Sequence, residues 1–481
     1  MKPFLIRARK KNKYLLLSLS SLIVASIILL LRFLLNSYEY FDAIVFLNLG
    51  IMTLLLLLYP LLSALRGAFD YFEPINMFLL TFTLGYFIPA VMLISNPSVS
   101  GYNTLGWWDF DYNNLEQALI YSNLSLGSFL IGYSIRSSSI HPVHPVIIQN
   151  QTNTYQEYRI KVVLIALFTI FVTSSFLLRH LLGERTSRGI GYEYGFGILQ
   201  PFTATGLYIP FLYYIFFYSR KKFNILFAGM SFMYILYSVT TSGSRGGILI
   251  IILTLLIYRH YLVKKLNFWF LVTSFMFAFF IIIYVGVYRL KAFSSFKMSY
   301  LIEMSRMIYL QTFSGLEVLM VVLSQVPSNI PFYNGELIAD ANLLPFIPRF
   351  FYPVKKAIYG YNSFWEDFIQ LISKAQSENF VSLPGQFYLD FGILGIVVGS
   401  FIVGVFFKMV YRYFLSNKSN RGVVFLYGLF LTIIVQTTPF GFPTTYIWLQ
   451  NFLIPYILIR YIYQKSRKKK TIEQCSAAVV A

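Results

Sequence analysis

The stretch "TTSGSRGGIL", Thr240 to Leu249, sets Arg245 among Ser242, Ser244, Gly246 and Gly247 between two long apolar runs. A guanidinium grips phosphate oxygens through a bidentate fork. The serines can cap the helix that follows, the glycines let backbone approach a ligand, and a helix N-terminus is itself an anion site. The competing reading is a tight turn whose arginine snorkels to lipid headgroups. A second polar island, "GERTSRGIGYEYGFG", holds Arg185, Arg188, Glu184 and Glu193 on a glycine-rich backbone, which suits a sugar or a phosphate, or else a solvated set of ion pairs. "VYRLK" puts Arg289 after a further apolar run. "PFIPRFFYPVKKAIYG" places Arg349 and Lys355 among prolines, which restrict the backbone around those cations.

The same region carries Glu317, Glu336, Asp340, Glu366, Asp367 and Glu378. Each is a candidate general base, and each could instead be a solvated partner of the cations. No Walker A pattern and no HExxH occurs, the single cysteine is Cys475, and His180 is the one histidine near the arginine islands. ATP-driven chemistry and a resident metal are therefore not expected, and no cofactor is implied.

These groups need elements to hold them. Of the 481 residues 57% are hydrophobic and 12% charged, against about a quarter charged in soluble domains. The apolar residues come in runs of about twenty, enough to cross a bilayer as helix. Continuous runs rather than alternation select helices over a barrel. The expected fold is an all-α polytopic membrane protein of about twelve spans: 14–35, 43–65, 75–95, 116–135, 161–180, 198–218, 223–241, 247–263, 267–288, 386–407, 422–437 and 442–460. The expected layout is nine spans over 1–288, a large loop at 289–385, three spans over 386–464 and a basic tail at 465–481. No repeat relates the two halves.

Most Lys and Arg fall on one side, at the N-terminal patch Lys2, Arg7, Arg9, Lys10, Lys11 and Lys13, at Arg66, Arg136, Arg159, Arg220 to Lys222, Arg259, Lys264, Lys265, Lys408, Arg412, Lys418 and Arg421, and in the tail. The positive-inside rule then sets both termini in the cytoplasm. The net charge of +20 reads as topology signals and attraction to anionic membrane lipids, and no nucleic-acid partner is expected. Arg185, Arg188, Arg245, Arg289, Arg349, Lys355 and Lys356 become outward-facing cations, which that rule disfavours. The loop 289–385 lies outside and is rich in aromatics and prolines. Within it "LEVLMVVLSQV" is too short to span and reads as re-entrant or interfacial.

The order of "TSGSRGGIL", "YRL" after the next span, "IPRFFYPVKK" in a long outer loop and "SLPGQFYLDFGILGIVVG" after it resembles the Wzy-type O-antigen polymerases over about Arg185 to Gly404. That resemblance implies a fold similar to the GT-C type glycosyltransferases. It implies an enzyme of the bacterial plasma (inner) membrane that polymerises lipid-linked repeat units of O-antigen, capsule or a similar surface polysaccharide. The growing glycan would pass from undecaprenyl diphosphate to the next lipid-linked unit, without metal or nucleotide sugar. Arg245, Arg289 and Arg349 would act on the leaving diphosphate, with Glu336 or Asp340 near the acceptor. Arg188, Ser244, Gly246, Lys355 and Tyr388 would make further contacts to the substrate. Implied partners are the lipid-linked oligosaccharide, membrane lipids, and a chain-length regulator and a flippase of the same pathway. Two rivals remain. An O-antigen ligase shares the layout but is expected to use a histidine in the large loop, which has none. A lipid-linked oligosaccharide transporter predicts internal repeats and polar residues in mid-membrane.

Overall fold

A computed structural model describes residues 43–67, 69–95, 113–135, 246–289, 315–342, 381–418 and 421–440, with isolated positions at 162, 165, 169, 173, 229, 230, 233, 309 and 313. The described residues are all-helical and fall into two compact units. Three helices are long and apolar enough to cross a membrane: α1, Ala43–Leu65; α2, Pro74–Ser95; and, later in the chain, α8, Leu383–Ser416. Between α2 and α8 come α3, Asn113–Ser134; α4, Gly246–Tyr258; α5, Phe268–Arg289; α6, Gly315–Gln325; and α7, Glu336–Asn342. After α8 comes α9, Arg421–Phe440. The expected spans 14–35, 161–180, 198–218, 223–241 and 442–460 lie outside the described residues, apart from the isolated positions.

The first unit holds α1, α2, α3, α6, α7 and α8 as far as Tyr413. Local sequence sets the ends of its helices. Gly67, at φ 69°, turns the chain out of α1, and Pro74 opens α2 with Glu73 as its N-cap. A glycine takes a positive φ without steric cost, and proline at the first helical turn loses no bond. Midway, α2 widens into a π-turn at Thr83–Phe87, just before Pro89. Proline has no N–H to return to the preceding turn, so carbonyls there are released. The hydroxyl of Tyr309 donates to the Leu84 carbonyl at 2.6 Å, and the backbone of α6 at Gly315 approaches the carbonyl of Gly85.

Helix α6 is the short apolar run of the loop region. It is 11 residues long, buried from Gly315 to Leu323, and packed against α2 and α3. Ring stacking joins Phe78 to Phe129 at 3.8 Å, with Phe407 edge-on to both. Polar pairs cross between helices. Asn123 Nδ2 donates to the carbonyl of Asn48 at 2.9 Å, and the hydroxyls of Ser125 and Ser400 meet at 2.8 Å. Such bonds within a bilayer contribute about 0.6 kcal/mol each on average.

Helices α3 and α8 approach closely, and their crossing exposes a repeat that inspection of the sequence misses. Gly127 to Gly132 reads GSFLIG, and Gly399 to Gly404 reads GSFIVG. Gly132 lies against the carbonyl oxygen of Phe401, and Gly404 against that of Phe129. The two contacts are reciprocal, as they would be between two copies of one helix. Only glycine lets backbones come this near, and the Cα–H groups then face carbonyl oxygens.

The outward faces of α1 and α8 are apolar. Leu47, Ile51, Leu54, Leu58, Leu62 and Leu65 are exposed along α1, as are Leu394, Val398, Ile402, Phe406 and Met409 along α8. Their spacing of three and four residues draws one stripe on each helix. Stripes this long suit contact with lipid or with another helix, and soluble monomers rarely leave them open.

The second unit contains α4, α5 and the start of α9, with the last residues of α8. A π-turn at Arg259–Val263 extends α4, and residues 264–267 connect it to α5. His260 is buried, and its Nδ1 accepts the N–H of Leu266 at 3.3 Å, which shapes that turn. Gly428 of α9 admits Thr254 of α4, and Phe414 stacks on Tyr427 at 3.7 Å.

Candidate functional site

In the second unit, α4 and α5 pack on each other across a short connection and make a helical hairpin. The chain enters it at Gly246 and leaves it at Arg289. The first residue of α4 and the last of α5 therefore share one end of the hairpin. The free N–H groups at the start of α4 suit an anion, whereas the last turn of α5 presents free carbonyls.

In the first unit, two polar centres occupy opposite ends of the bundle. One lies where α8 breaks. Phe391 and Gly392 leave helical geometry, Gly392 at φ 61° and ψ −145°, a conformation essentially reserved for glycine. Just before the break, Asp390 is fully buried. Its Oδ1 accepts the N–H groups of Gly335 and Leu337, and its Oδ2 accepts that of Ile338, each at 3.1 Å. These are the donors that the first turn of α7 leaves without a helical partner. The carboxylate also sits at the positive end of that helix. The neighbouring N–H of Tyr333 donates to the carbonyl of Leu389 at 3.0 Å. The rings interlock with the glycines: Phe391 lies against Gly335, which has φ 91°, and Phe332 lies against Gly392. Tyr388, one turn away, is buried and donates its hydroxyl to the carbonyl of Val326 at 3.2 Å. Its ring meets those of Tyr121 and Phe332 at 5.5 and 5.6 Å.

The other centre surrounds Glu73. Its Oε1 accepts the hydroxyls of Tyr59 at 2.7 Å and Tyr133 at 2.8 Å, and Lys408 Nζ stands 3.7 Å away. The ammonium of Lys408 also lies 4.4 Å from the centre of the Tyr133 ring, a cation–π contact. Tyr411 donates to Asp70 Oδ2 at 3.1 Å, and Asp70 Oδ1 accepts the N–H of Phe72. Burial pushes the Glu73 carboxyl above the ordinary carboxylate range, against the pull of both tyrosine hydroxyls and of Lys408. This centre ties α1, α2, α3 and α8 together at one end.

The residues expected to act divide as follows. Gly246 begins α4 and Arg289 ends α5; the serines expected to cap α4 lie outside the described residues. Glu336 is exposed at the first position of α7, and Asp340 is on the same helix. Glu336 and Tyr388 come into one neighbourhood through Phe332 and Tyr333. Tyr388 donates its hydroxyl to the Val326 carbonyl. Glu317 is fully buried on α6. Arg188, Ser244, Arg245, Arg349, Lys355 and Glu378 lie outside the described residues.

Sequence reasoning passed over Asp390 and Glu73. The signals were local: "LDFG", where an acid precedes a glycine inside an apolar helix, and "FEP", where an acid precedes the proline that opens a span. Among the described residues no group of three or more His, Cys, Asp or Glu gathers as a metal site. Protein-family models, curated proteins and solved structures were all searched, and none matches the chain.

Proposed function

We propose that this chain is a Wzy-type polymerase of lipid-linked oligosaccharide repeat units, with about twelve spans and both termini cytoplasmic, in a bacterial plasma membrane. The growing glycan leaves its undecaprenyl diphosphate and joins the next lipid-linked unit on the outer face. The observation that supports the reading is the start of α4 at Gly246, where free N–H groups suit an anion, with Arg245 adjoining it in sequence and Arg289 ending α5. A diphosphate is the anion such an end would receive.

In the proposed reaction the bond from the anomeric carbon to the diphosphate oxygen breaks. A bond from that carbon to an acceptor hydroxyl forms, and the hydroxyl proton passes to a carboxylate. Arg245, Arg289 and Arg349 oppose the charge growing on the diphosphate, which is electrostatic stabilisation of the transition state. Arg188, Ser244 and Lys355 hold the same group. The candidates to take the proton or orient the hydroxyl are Glu317, Glu336, Asp340 and Glu378. Membrane lipids, a chain-length regulator and a flippase complete the expected partners.

Arg245→Ala and Arg245→Lys, expressed at native level in cells lacking the chromosomal copy, test it. Loss of one donor of this kind costs about 10²–10³ in rate. The Ala variant is expected to leave single-repeat surface sugar, and the Lys variant short chains. Normal chain length in the Ala variant refutes the diphosphate role. Long polymer left unattached in cells without the protein points to a ligase instead.

A further inference from the structure

We infer that Asp390 is a positioning residue that latches α7, and with it Glu336 and Asp340, to the break in α8. The inference rests on the proposed polymerase reading for what those carboxylates do, and on geometry for the latch. A single buried carboxylate collects three N–H groups from residues 52 to 55 positions away. A fourth bond, from Tyr333 to Leu389, runs beside them. Around these bonds two glycines in left-handed conformations each make room for a ring from the opposite segment. The tie is therefore made of charge-assisted bonds, backbone and interlocked side chains at once, and it leaves the Glu336 side chain exposed.

A seven-residue helix has no stability of its own. Its direction is set by what holds its first turn, and Asp390 supplies that hold. The other end of the tie is α8, whose remaining length continues through the bundle to Lys408 and Glu73. Glu336 and Asp340 are thus referred to α8 chiefly through this carboxylate, with the Tyr333–Leu389 bond and the two rings beside it. A base misplaced by about 1 Å loses on the order of 100-fold in rate. Asp390 touches no substrate in this account; it acts by fixing groups that do.

The test uses the full chain with Cys475→Ser and Ala339→Cys, a half-buried site on α7, carrying a nitroxide spin label in proteoliposomes. Asp390→Asn keeps Oδ1 for Gly335 and Leu337 and sets an amide against the N–H of Ile338; Asp390→Ala keeps nothing. Label mobility is expected to rise in the order native, Asn, Ala. Chain-forming rate is measured in membranes supplied with lipid-linked repeat unit extracted from cells that lack the protein. The rate is expected to fall on the order of 100-fold in Asp390→Ala and less in Asp390→Asn, with kcat affected and KM changed by less than about threefold. A label already mobile in the native chain overturns the latch. So does a label equally restricted in all three proteins, or a mobile label in Asp390→Ala with a rate within about twofold of native. Absence of any chain formation by the native protein refutes the polymerase reading instead and leaves the label result to judge the latch.

Discussion

Replacing Gly404 by alanine puts a methyl group into the backbone of another helix. At that position a Cβ overlaps the carbonyl oxygen of Phe129 and comes to 2.9 Å from the amide nitrogen of Tyr133. On Gly132 it overlaps the carbonyl oxygen of Phe401 and lies 3.2 Å from that residue's Cα. Neither obstacle is a side chain that can swing away. Carbon–oxygen contacts of this kind settle at about 3.3–3.6 Å, so α3 and α8 must part by on the order of 1 Å. Parting forfeits the second glycine contact and strains the Ser125–Ser400 bond at 2.8 Å. Overpacking costs about 1–3 kcal/mol, partly offset by the better helix propensity of alanine, up to about 1 kcal/mol. Each single variant should lose about 1–2 kcal/mol net. Because both methyls force the same separation, the double variant Gly132→Ala, Gly404→Ala should fall short of the sum by at least about 0.5 kcal/mol. Gly127, in the same hexapeptide, meets nothing within 4 Å, so Gly127→Ala is the matched control and should be neutral or slightly stabilising. The measurement is the unfolding midpoint of the purified chain in one detergent, with monodispersity checked beforehand. Equal midpoints for Gly404→Ala and Gly127→Ala, or full additivity in the double variant, refute the close crossing.

Glu73 gives a pH test. Its folded carboxyl binds a proton more readily than the ordinary value of 4.5, so the folded state gains stability as pH falls toward 4.5 and loses it as pH rises through the raised value. Glu73→Gln should flatten that slope in the unfolding midpoint; an unchanged slope contradicts it. At neutral pH Glu73→Ala should cost about 2–4 kcal/mol, because Tyr59, Tyr133 and Lys408 all lose their shared acceptor. Leu54, at the middle of α1 and 63% exposed, lies on its outward apolar stripe, so Leu54→Arg should cost about 2.5–3.5 kcal/mol of insertion and lower the membrane-fraction yield. The buried neighbour Met52, replaced by Leu, should leave yield unchanged.

Helices were legible wherever apolar length alone decides. The runs at 43–65, 75–95 and 386–407 correspond to α1, α2 and α8, and Gly246 after the serines marks the start of α4. The finer features depend on partners far along the chain. Nothing around Asp390 shows that its carboxylate will meet Gly335 to Ile338, since that contact forms only once α7 folds over α8. The break at Phe391–Gly392 is marked in the sequence only by the acid and glycine of "LDFG", which sit inside an otherwise continuous apolar run. The π-turn of α2 has a visible cause in Pro89, but its use, as an acceptor for Tyr309, does not. GSFLIG and GSFIVG are short enough to pass as chance until their helices are found touching. Of the expected phosphate ligands, Arg188, Arg245, Arg349 and Lys355 lie outside the described residues, so their convergence rests on the sequence and on the polymer assay.

The α3–α8 crossing also sets a timetable for making the protein. Ser125 and Ser400, partners across it, are 275 residues apart in the chain. At about 5–20 residues per second, α3 leaves the ribosome tens of seconds before α8 exists. During that interval Gly132 faces the bilayer or a provisional neighbour, and Glu73 waits for Lys408. Assembly of the first unit is therefore a late event in synthesis, and a ribosome stall between α3 and α8 should leave an intermediate whose open glycine face invites a foreign helix.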